Sequence, residues 1–127
     1  MKIETRAWVR KAEQDWEVAG REAAVKKPPR DVVAFECQQC AEKYLKAVLH
    51  EIGARVAKIH DLQRLLSDIL PYFPRLRALR PRLARLSRYA VDYRYPGFST
   101  SAREMRAAVL HAERVRLECR TILGLPP

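Results

Sequence analysis

The spacing of apolar residues between positions 33 and 52 limits the possible folds of this chain more than any other feature. Within that stretch apolar side chains recur at steps of three and four residues, which is the period of one face of an α-helix. The stripe consists of Val33, Cys37, Cys40, Ala41, Tyr44, Val48 and Ile52. Asp31 precedes it as a candidate N-cap, and Gly53 follows it where a left-handed residue ends many helices. The segment predicts one long helix with a buried face.

Helical spacing continues along the rest of the chain, without an alternating strand pattern or an internal repeat. A first helix is predicted from about Arg6 to Lys26, before the Pro28–Pro29 pair. A short third helix opens at Asp61 and a fourth near Pro81. The predicted inner faces are Trp8, Ala12, Trp16, Ala19 and Ala23 in the first helix, Leu62, Leu65, Leu66 and Ile69 in the third, and Leu83, Leu86, Ala90 and Tyr93 in the fourth.

A capping box marks the start of a fifth helix. Ser101 and Glu104 have the spacing at which each side chain can bond the other's backbone amide. The helix that follows is predicted to end at Gly124 and to bury Met105, Val109, Ala112, Val115, Cys119 and Ile122. The five segments predict an all-α fold, an up-and-down helical bundle of four main helices plus one short helix. Residues 1–127 are long enough for a single domain with its own core.

The composition excludes several classes of protein. No apolar run is long enough to span a membrane, and the first residues lack the features of a secretory signal, so a cytoplasmic protein is expected. Three cysteines are too few for a disulfide framework. Cys37 and Cys40 have no second ligand pair, and neither His50 nor His111 has a partner at ligand spacing, so neither a metal site nor a cofactor is expected. The absence of asparagine is a weak indication of a thermophilic source.

The net charge of +10 is carried mainly by 18 arginines against 7 lysines. Seven of those arginines lie between Arg75 and Arg94, where Asp92 is the one acid. Arg82, Arg85 and Arg88 are spaced at three residues and share a helix face, which suits phosphate binding. Tyr89, Tyr93 and Tyr95 follow on, and tyrosine rings can stack on bases. A solvated basic helix face with tyrosines in the core explains the same pattern equally well.

Two polar groups lie near the predicted helix ends and edges. Asp61 is a candidate N-cap with His60 packed in the preceding loop, or the two form a polar pair that lines a groove near Arg88. The polar side of the second helix, beside its apolar stripe, carries Gln38, Gln39, Glu42 and Lys43. Taken alone, Glu42 and Lys46 are an ordinary helix pair at four residues' spacing.

Three segments together resemble the HEPN family of small helical proteins, which occur beside nucleotidyltransferases and among RNA-cleaving toxins. They are Phe35 to Ala47, Lys58 to Leu62 and Arg88 to Gly97. The resemblance implies a homodimer in which a helix-end motif, arginine followed by histidine after four to six residues, meets its copy across a shared cleft. In such metal-independent ribonucleases the histidine acts on the ribose hydroxyl and the arginine steadies the phosphate. By this resemblance Arg88 binds phosphate, and Arg82, Arg85, Arg94 and Lys43 contact RNA, while Gln38, Gln39, Glu42, His60, Asp61 and Tyr95 line the groove.

The chain departs from that motif at one position. Tyr93 occupies the place of the histidine after Arg88, and a tyrosine hydroxyl is a poor general base at neutral pH. The tyrosine form resembles the toxin-like HEPN partners of minimal nucleotidyltransferases, where the transferase adds AMP to that tyrosine. Tyr93 and Tyr95 are both candidate acceptors. Whether the chain is an enzyme therefore stays open, and the alternative is a non-catalytic module that binds a nucleotide or docks a partner protein.

Overall fold

The computed structural model describes all 127 residues and contains only helices and connections. The α-helices are α1 (Ile3–Ala23), α2 (Arg30–Glu51), α3 (Leu62–Ile69), α4 (Arg80–Ser87) and α5 (Ala102–Ile122). Three short 3-10 helices span Pro74–Leu79, Arg88–Ala90 and Asp92–Arg94. The predicted all-α bundle is confirmed. No helix combines the length and the apolar character needed to cross a lipid bilayer.

Helix α2 lies at the centre of the bundle and packs against α1, α3, α4 and α5. The predicted stripe from Val33 to Val48 is buried, and Ile52 packs at the edge of the same core. Because neighbours surround α2 on several sides, its polar side is buried too, including Gln38 and Glu42. The expectation that Gln38 and Glu42 face an open groove is therefore wrong.

The predicted helix ends are confirmed at several positions. Asp61 caps α3 by accepting hydrogen bonds from the amides of Gln63 and Arg64, at 3.0 and 3.2 Å. The capping box is present, because Ser101 and Glu104 each accept the other's backbone amide at 3.0 Å. Gly53 ends α2 with a φ of 75°, a conformation that glycine adopts without steric cost.

Asp31 does not cap α2. The helix begins one residue earlier, at Arg30, with Pro29 before it and no side-chain cap. The Asp31 carboxylate instead accepts the backbone amide of Thr100 at 2.8 Å. The predicted cap at Asp31 is wrong because a carboxylate in the first helical turn can accept an amide hydrogen from a distant part of the chain. Here the Asp31–Thr100 hydrogen bond joins the start of α2 to the residues just before α5.

The predicted fourth helix is shorter than its apolar pattern suggested. α4 ends at Ser87, and the chain continues as two tight 3-10 turns. Side chains three residues apart overlap in a 3-10 helix, so Tyr89 continues the buried line of Leu83 and Leu86. Ala90 and Tyr93, expected on the inner face, are only partly buried.

A cluster of polar side chains, here called the polar clasp, joins α1, α2 and α5. It consists of Glu13, Tyr44, Arg116 and Arg120. Arg116 donates to Glu13 from Nε at 2.7 Å and from Nη2 at 2.8 Å, and Arg120 donates to the Tyr44 hydroxyl at 2.9 Å. Burial raises the pKa of Glu13, but the hydrogen bonds from Arg116 and Tyr44 outweigh it and leave that pKa below its usual value. The clasp fixes the three long helices on which the rest of the fold is assembled.

Candidate anion-binding site

Three arginines follow one edge of α4 and the turn after it. This arginine ridge consists of Arg82, Arg85 and Arg88, as the spacing of three predicts. Arg85 and Arg88 are exposed, whereas Arg82 is partly buried. The Arg88 guanidinium lies 5.4 Å from the Tyr89 ring and 5.3 Å from the Phe98 ring, so two aromatic side chains limit its movement. A held, exposed guanidinium is well suited to bind a phosphate oxygen.

Arg88 has one anionic partner within the subunit. Its Nη1 donates to Oε2 of Glu104 at 2.9 Å, while the other carboxylate oxygen of Glu104 accepts the Ser101 amide. The hydrogen bonds from the backbone and side chain of Ser101, more than Arg88 itself, hold the pKa of Glu104 below its usual value. A phosphate that binds Arg88 would take the place of a single exposed contact.

A small cavity of about 110 Å³ lies between α4 and α5 beside the ridge. Its lining includes Arg85, Arg88, Tyr89, Glu104 and His111. His111 was not predicted as a site residue. It is 23 positions after Arg88 on a different helix, and no motif connects the two residues in the sequence. Tertiary packing alone brings an imidazole to the cavity that Arg88 lines.

The hydrogen bond to His111 determines its tautomer. Arg82 Nη1 lies 3.2 Å from His111 Nδ1, and since arginine can only donate, Nδ1 accepts and the ring hydrogen is on Nε2. Burial, then the charges of Arg82 and Arg85, lowers the pKa of His111. The imidazole is therefore neutral at pH 7, and in this geometry it is a hydrogen-bond donor and not a base.

The two candidate acceptor tyrosines have different surroundings. Tyr93 stacks on Phe35 of α2 with ring centroids 4.1 Å apart, and the Arg94 guanidinium lies 5.7 Å from the Tyr93 ring. Tyr95 is 61% exposed on the turn that follows. Tyr93 is held against the bundle, whereas the side chain of Tyr95 is open to a partner.

The remaining predicted site residues make no hydrogen bond or ion pair with the ridge. Lys43 is paired with Asp15 of α1 at 2.6 Å, and Gln39 donates to Gln38 at 2.6 Å. His60 Nδ1 lies 2.9 Å from a carboxylate oxygen of Glu42. Glu42 is about two turns further along α2 than Phe35, the residue whose ring stacks on Tyr93. The structure thus groups Arg82, Arg85 and Arg88, with Tyr93, Arg94 and Tyr95 on the following turns, and it pairs Lys43 and His60 with carboxylates outside the ridge.

The cysteines and acidic residues provide neither a reactive thiol nor a metal cluster. All three cysteines are buried, and burial raises the pKa values of Cys37 and Cys119 to about 12. No group of three or more His, Cys, Asp or Glu side chains has the geometry to hold a metal ion. The groups available at the ridge are guanidinium, imidazole N–H and phenol groups, together with the Glu104 carboxylate that is paired with Arg88.

The fold and the site define a small helical protein with a basic edge built at the end of a short helix. Residues 5–122 match the HEPN domain, and the chain belongs to the HEPN family. No curated protein shows a significant match to the sequence.

Among solved structures the chain is similar to TT1696 from Thermus thermophilus. The TM-score is 0.82 at 23% sequence identity, over 94% of this chain and 98% of that one. At this identity the similarity concerns the fold, and it agrees with the bundle described above.

Proposed function

We propose that this HEPN protein is the toxin-like partner of a minimal nucleotidyltransferase, and that it binds RNA phosphates in a basic cleft shared by two subunits. The observation that carries the proposal is the exposed guanidinium of Arg88, held against the rings of Tyr89 and Phe98 at the edge of a cavity. Arg85 and the Nε2 hydrogen of His111 add donors at the same cavity. Such donors suit the oxygens of a phosphodiester.

Metal-independent cleavage by this cleft follows the chemistry of RNA transesterification. The ribose 2′-oxygen bonds to phosphorus, the bond to the 5′-oxygen breaks, the 2′-hydroxyl proton passes to water, and the departing 5′-oxygen takes up a proton from solvent. Arg88 would stabilise the negative charge that develops on the phosphate. A second subunit brings a second copy of the ridge to the cleft, which is why a homodimer belongs to the proposal.

A second candidate function is non-catalytic binding of RNA, of a nucleotide or of the transferase itself. One observation favours it: no free base lies at the cavity that Arg88 lines, because its one carboxylate, Glu104, is already paired with Arg88. Tyr93 replaces the motif histidine, and the donor from Arg82 keeps His111 Nδ1 occupied. In this form the ridge binds phosphate and no bond breaks.

Incubation with end-labelled RNA in the presence of EDTA separates the two functions. For a ribonuclease, Arg88→Ala should lower turnover by about 100-fold or more with folding intact, as for other transition-state donors. The matched control is Arg21→Ala, which removes an exposed arginine of α1 that has no ion pair. If the wild-type protein binds RNA without cleaving it and Arg88→Ala weakens binding alone, the non-catalytic function is correct. If Arg88→Ala and Arg21→Ala behave alike in both assays, the ridge is not the site.

We further propose Tyr95 as the residue that accepts AMP from the transferase. Its hydroxyl oxygen would attack the α-phosphorus of ATP, the bond to the β-phosphate oxygen would break, pyrophosphate would leave, and the phenol proton would pass to a base on the transferase. The 61% exposure of Tyr95, against the stacked position of Tyr93, supports this choice.

Mass spectrometry after coexpression with the transferase tests the assignment. The AMP adduct should persist in Tyr93→Phe and disappear in Tyr95→Phe. The reverse pattern would assign the modification to Tyr93 and would require that ring to leave Phe35 when the partner binds.

A further inference from the structure

A second cavity, of about 440 Å³, lies on another part of the molecule, between α1, the last turns of α2 and the loop before α3. Its lining residues are Trp8, Lys46, His50, Val56, Ala57, Lys58 and His60. It shares no lining residue with the cavity beside Arg88. Four of the seven side chains are nitrogen bases or cations, and none is a carboxylate. The volume is within the range of small-molecule sites.

A buried carboxylate outside the lining of this cavity holds two of its lining side chains in place. Glu42 accepts from Lys46 Nζ at 3.2 Å and faces His60 Nδ1 at 2.9 Å, while Glu42 and Lys46 are only 3% and 6% exposed. Lys46 also lies 5.4 Å from the Trp8 ring. Two charges this deeply buried require mutual pairing, and they give the site a fixed geometry.

Both histidines of the cavity are oriented in the same way. His60 presents Nδ1 to Glu42, and His50 presents Nδ1 to Glu4 at 3.0 Å. A carboxylate accepts a hydrogen at Nδ1 and leaves Nε2 as the free nitrogen of each ring. With its hydrogen on Nδ1, a neutral ring can only accept at Nε2, whereas a protonated ring carries a second hydrogen there and can donate it to an anionic ligand.

The charge of the lining indicates the kind of ligand. Glu42 balances Lys46, whereas Lys58 makes no ion pair or hydrogen bond. Lys58 is therefore the lysine of the lining that is free to bind a ligand, and its charge favours an anion, because the Glu42 and Glu4 carboxylates are already in contact with Lys46 and the two histidines. Trp8, Val56 and Ala57 supply an apolar surface in the same cavity. A ligand with a compact anionic group and an adjacent apolar group would contact both the basic side chains and the apolar surface of the cavity.

We propose that this cavity is a second ligand site, which binds a phosphate monoester with a small aromatic or apolar group. Lys58 donates to the phosphate, His50 and His60 donate to it from Nε2 in their protonated form, and the organic group lies against Trp8. The site is independent of the proposed RNA cleft, because the two cavities have no residue in common.

Imidazole NMR provides the test, because the chain has three histidines and His111 lies at the other cavity. Each resonance is assigned by its loss in the corresponding His→Gln variant. Addition of phenyl phosphate to the whole protein should shift His50 and His60 at lower ligand concentrations than His111, which lies at the arginine ridge. Inorganic phosphate should bind more weakly, because it lacks the apolar group. Lys58→Ala should weaken phenyl phosphate binding by about tenfold, since a charged hydrogen bond is lost.

Lys27→Ala removes an exposed lysine without an ion pair, so it is the matched control and should leave the affinity for phenyl phosphate unchanged. Several outcomes would overturn the proposal. One is the absence of a His50 or His60 shift at roughly 10 mM ligand, where even a Kd of about 1 mM gives near saturation. Another is a shift of His111 in place of the other two, which would put the ligand at the arginine ridge. Equal affinity for phosphate and phenyl phosphate, or an unchanged affinity in Lys58→Ala, would also contradict it.

Discussion

The polar clasp and the arginine ridge use the same guanidinium chemistry in opposite ways. In the clasp, Arg116 gives two hydrogen bonds to Glu13, and its side chain is only 15% exposed. In the ridge, Arg88 gives one hydrogen bond to Glu104, and its side chain is 48% exposed. Both pairs are ion pairs in direct contact, yet they differ in how much they contribute to stability.

Burial and the number of hydrogen bonds decide which arginine is structural. Breaking a bidentate, largely buried ion pair costs much free energy, because the remaining partner stays buried without its counter-charge. An exposed pair is weak, because water and salt screen it. The comparison teaches that most arginines of this basic chain cannot be assumed to bind a ligand. Those with a single exposed contact can exchange it for a phosphate.

The largest expected effect is on the clasp. Glu13→Ala leaves Arg116 and Tyr44 without their shared acceptor, and the free energy of unfolding should fall by about 2–3 kcal/mol. Urea unfolding at pH 7 measures it. Glu17→Ala is the matched control, because Glu17 is an exposed glutamate of the same helix without an ion pair. That variant should remain within about 0.5 kcal/mol of wild type.

Urea unfolding of a ridge variant tests the expectation that the exposed arginine pair contributes little to stability. Arg88→Ala should lower the free energy of unfolding by less than about 1 kcal/mol, since its contact with Glu104 is exposed. Two results would contradict the distinction between clasp and ridge. One is a loss of unfolding free energy in Glu13→Ala no larger than in Glu17→Ala, and the other is a loss in Arg88→Ala as large as that expected for Glu13→Ala.

The sequence predicted the parts of the fold that local rules decide. The apolar period located α2, and the residue types at Asp61, Ser101 and Gly53 located three helix ends, because capping depends on neighbours in the chain. The central position of α2 was not predictable in this way. The burial of Glu42 results from helices that pack around it, and those contacts leave no periodic signal near residue 42.

The candidate site was predictable only in part, for the same reason. The spacing of Arg82, Arg85 and Arg88 is local, so the ridge was visible in the sequence. His111 reaches the ridge through the packing of α5 on α4, and a single sequence carries no sign of that contact. The change from α-helix to 3-10 turns after Ser87 also rotated Tyr89 inward in place of Ala90, which a constant helical period could not predict.

A third group of charges is buried about as much as the clasp, and its predicted effect is a modest dependence of stability on pH. Asp15 of α1 lies between Lys43 and Glu36 of α2. Burial, then the hydrogen bond with Asp15, raises the pKa of Glu36 to about 7. The folded protein therefore keeps a proton that the unfolded chain releases near its ordinary pKa of about 4.5.

The sign of the pH effect follows from that difference. As the pH rises from about 4.5 through 7, the unfolded state loses its proton first, so the contribution of Glu36 to folding stability declines. Solvent around this half-buried group limits the change to about 1 kcal/mol. Urea unfolding between about pH 5 and 8 should show this decline in the wild type and not in Glu36→Gln. Glu113→Gln, at an exposed position of α5, should keep the wild-type slope. Equal slopes in the wild type and Glu36→Gln would mean that the attraction of Lys43 offsets the effects of burial and of Asp15, so that Glu36 binds its proton equally well in the folded and the unfolded protein, and the charges of this cluster would be as well compensated as those of the clasp.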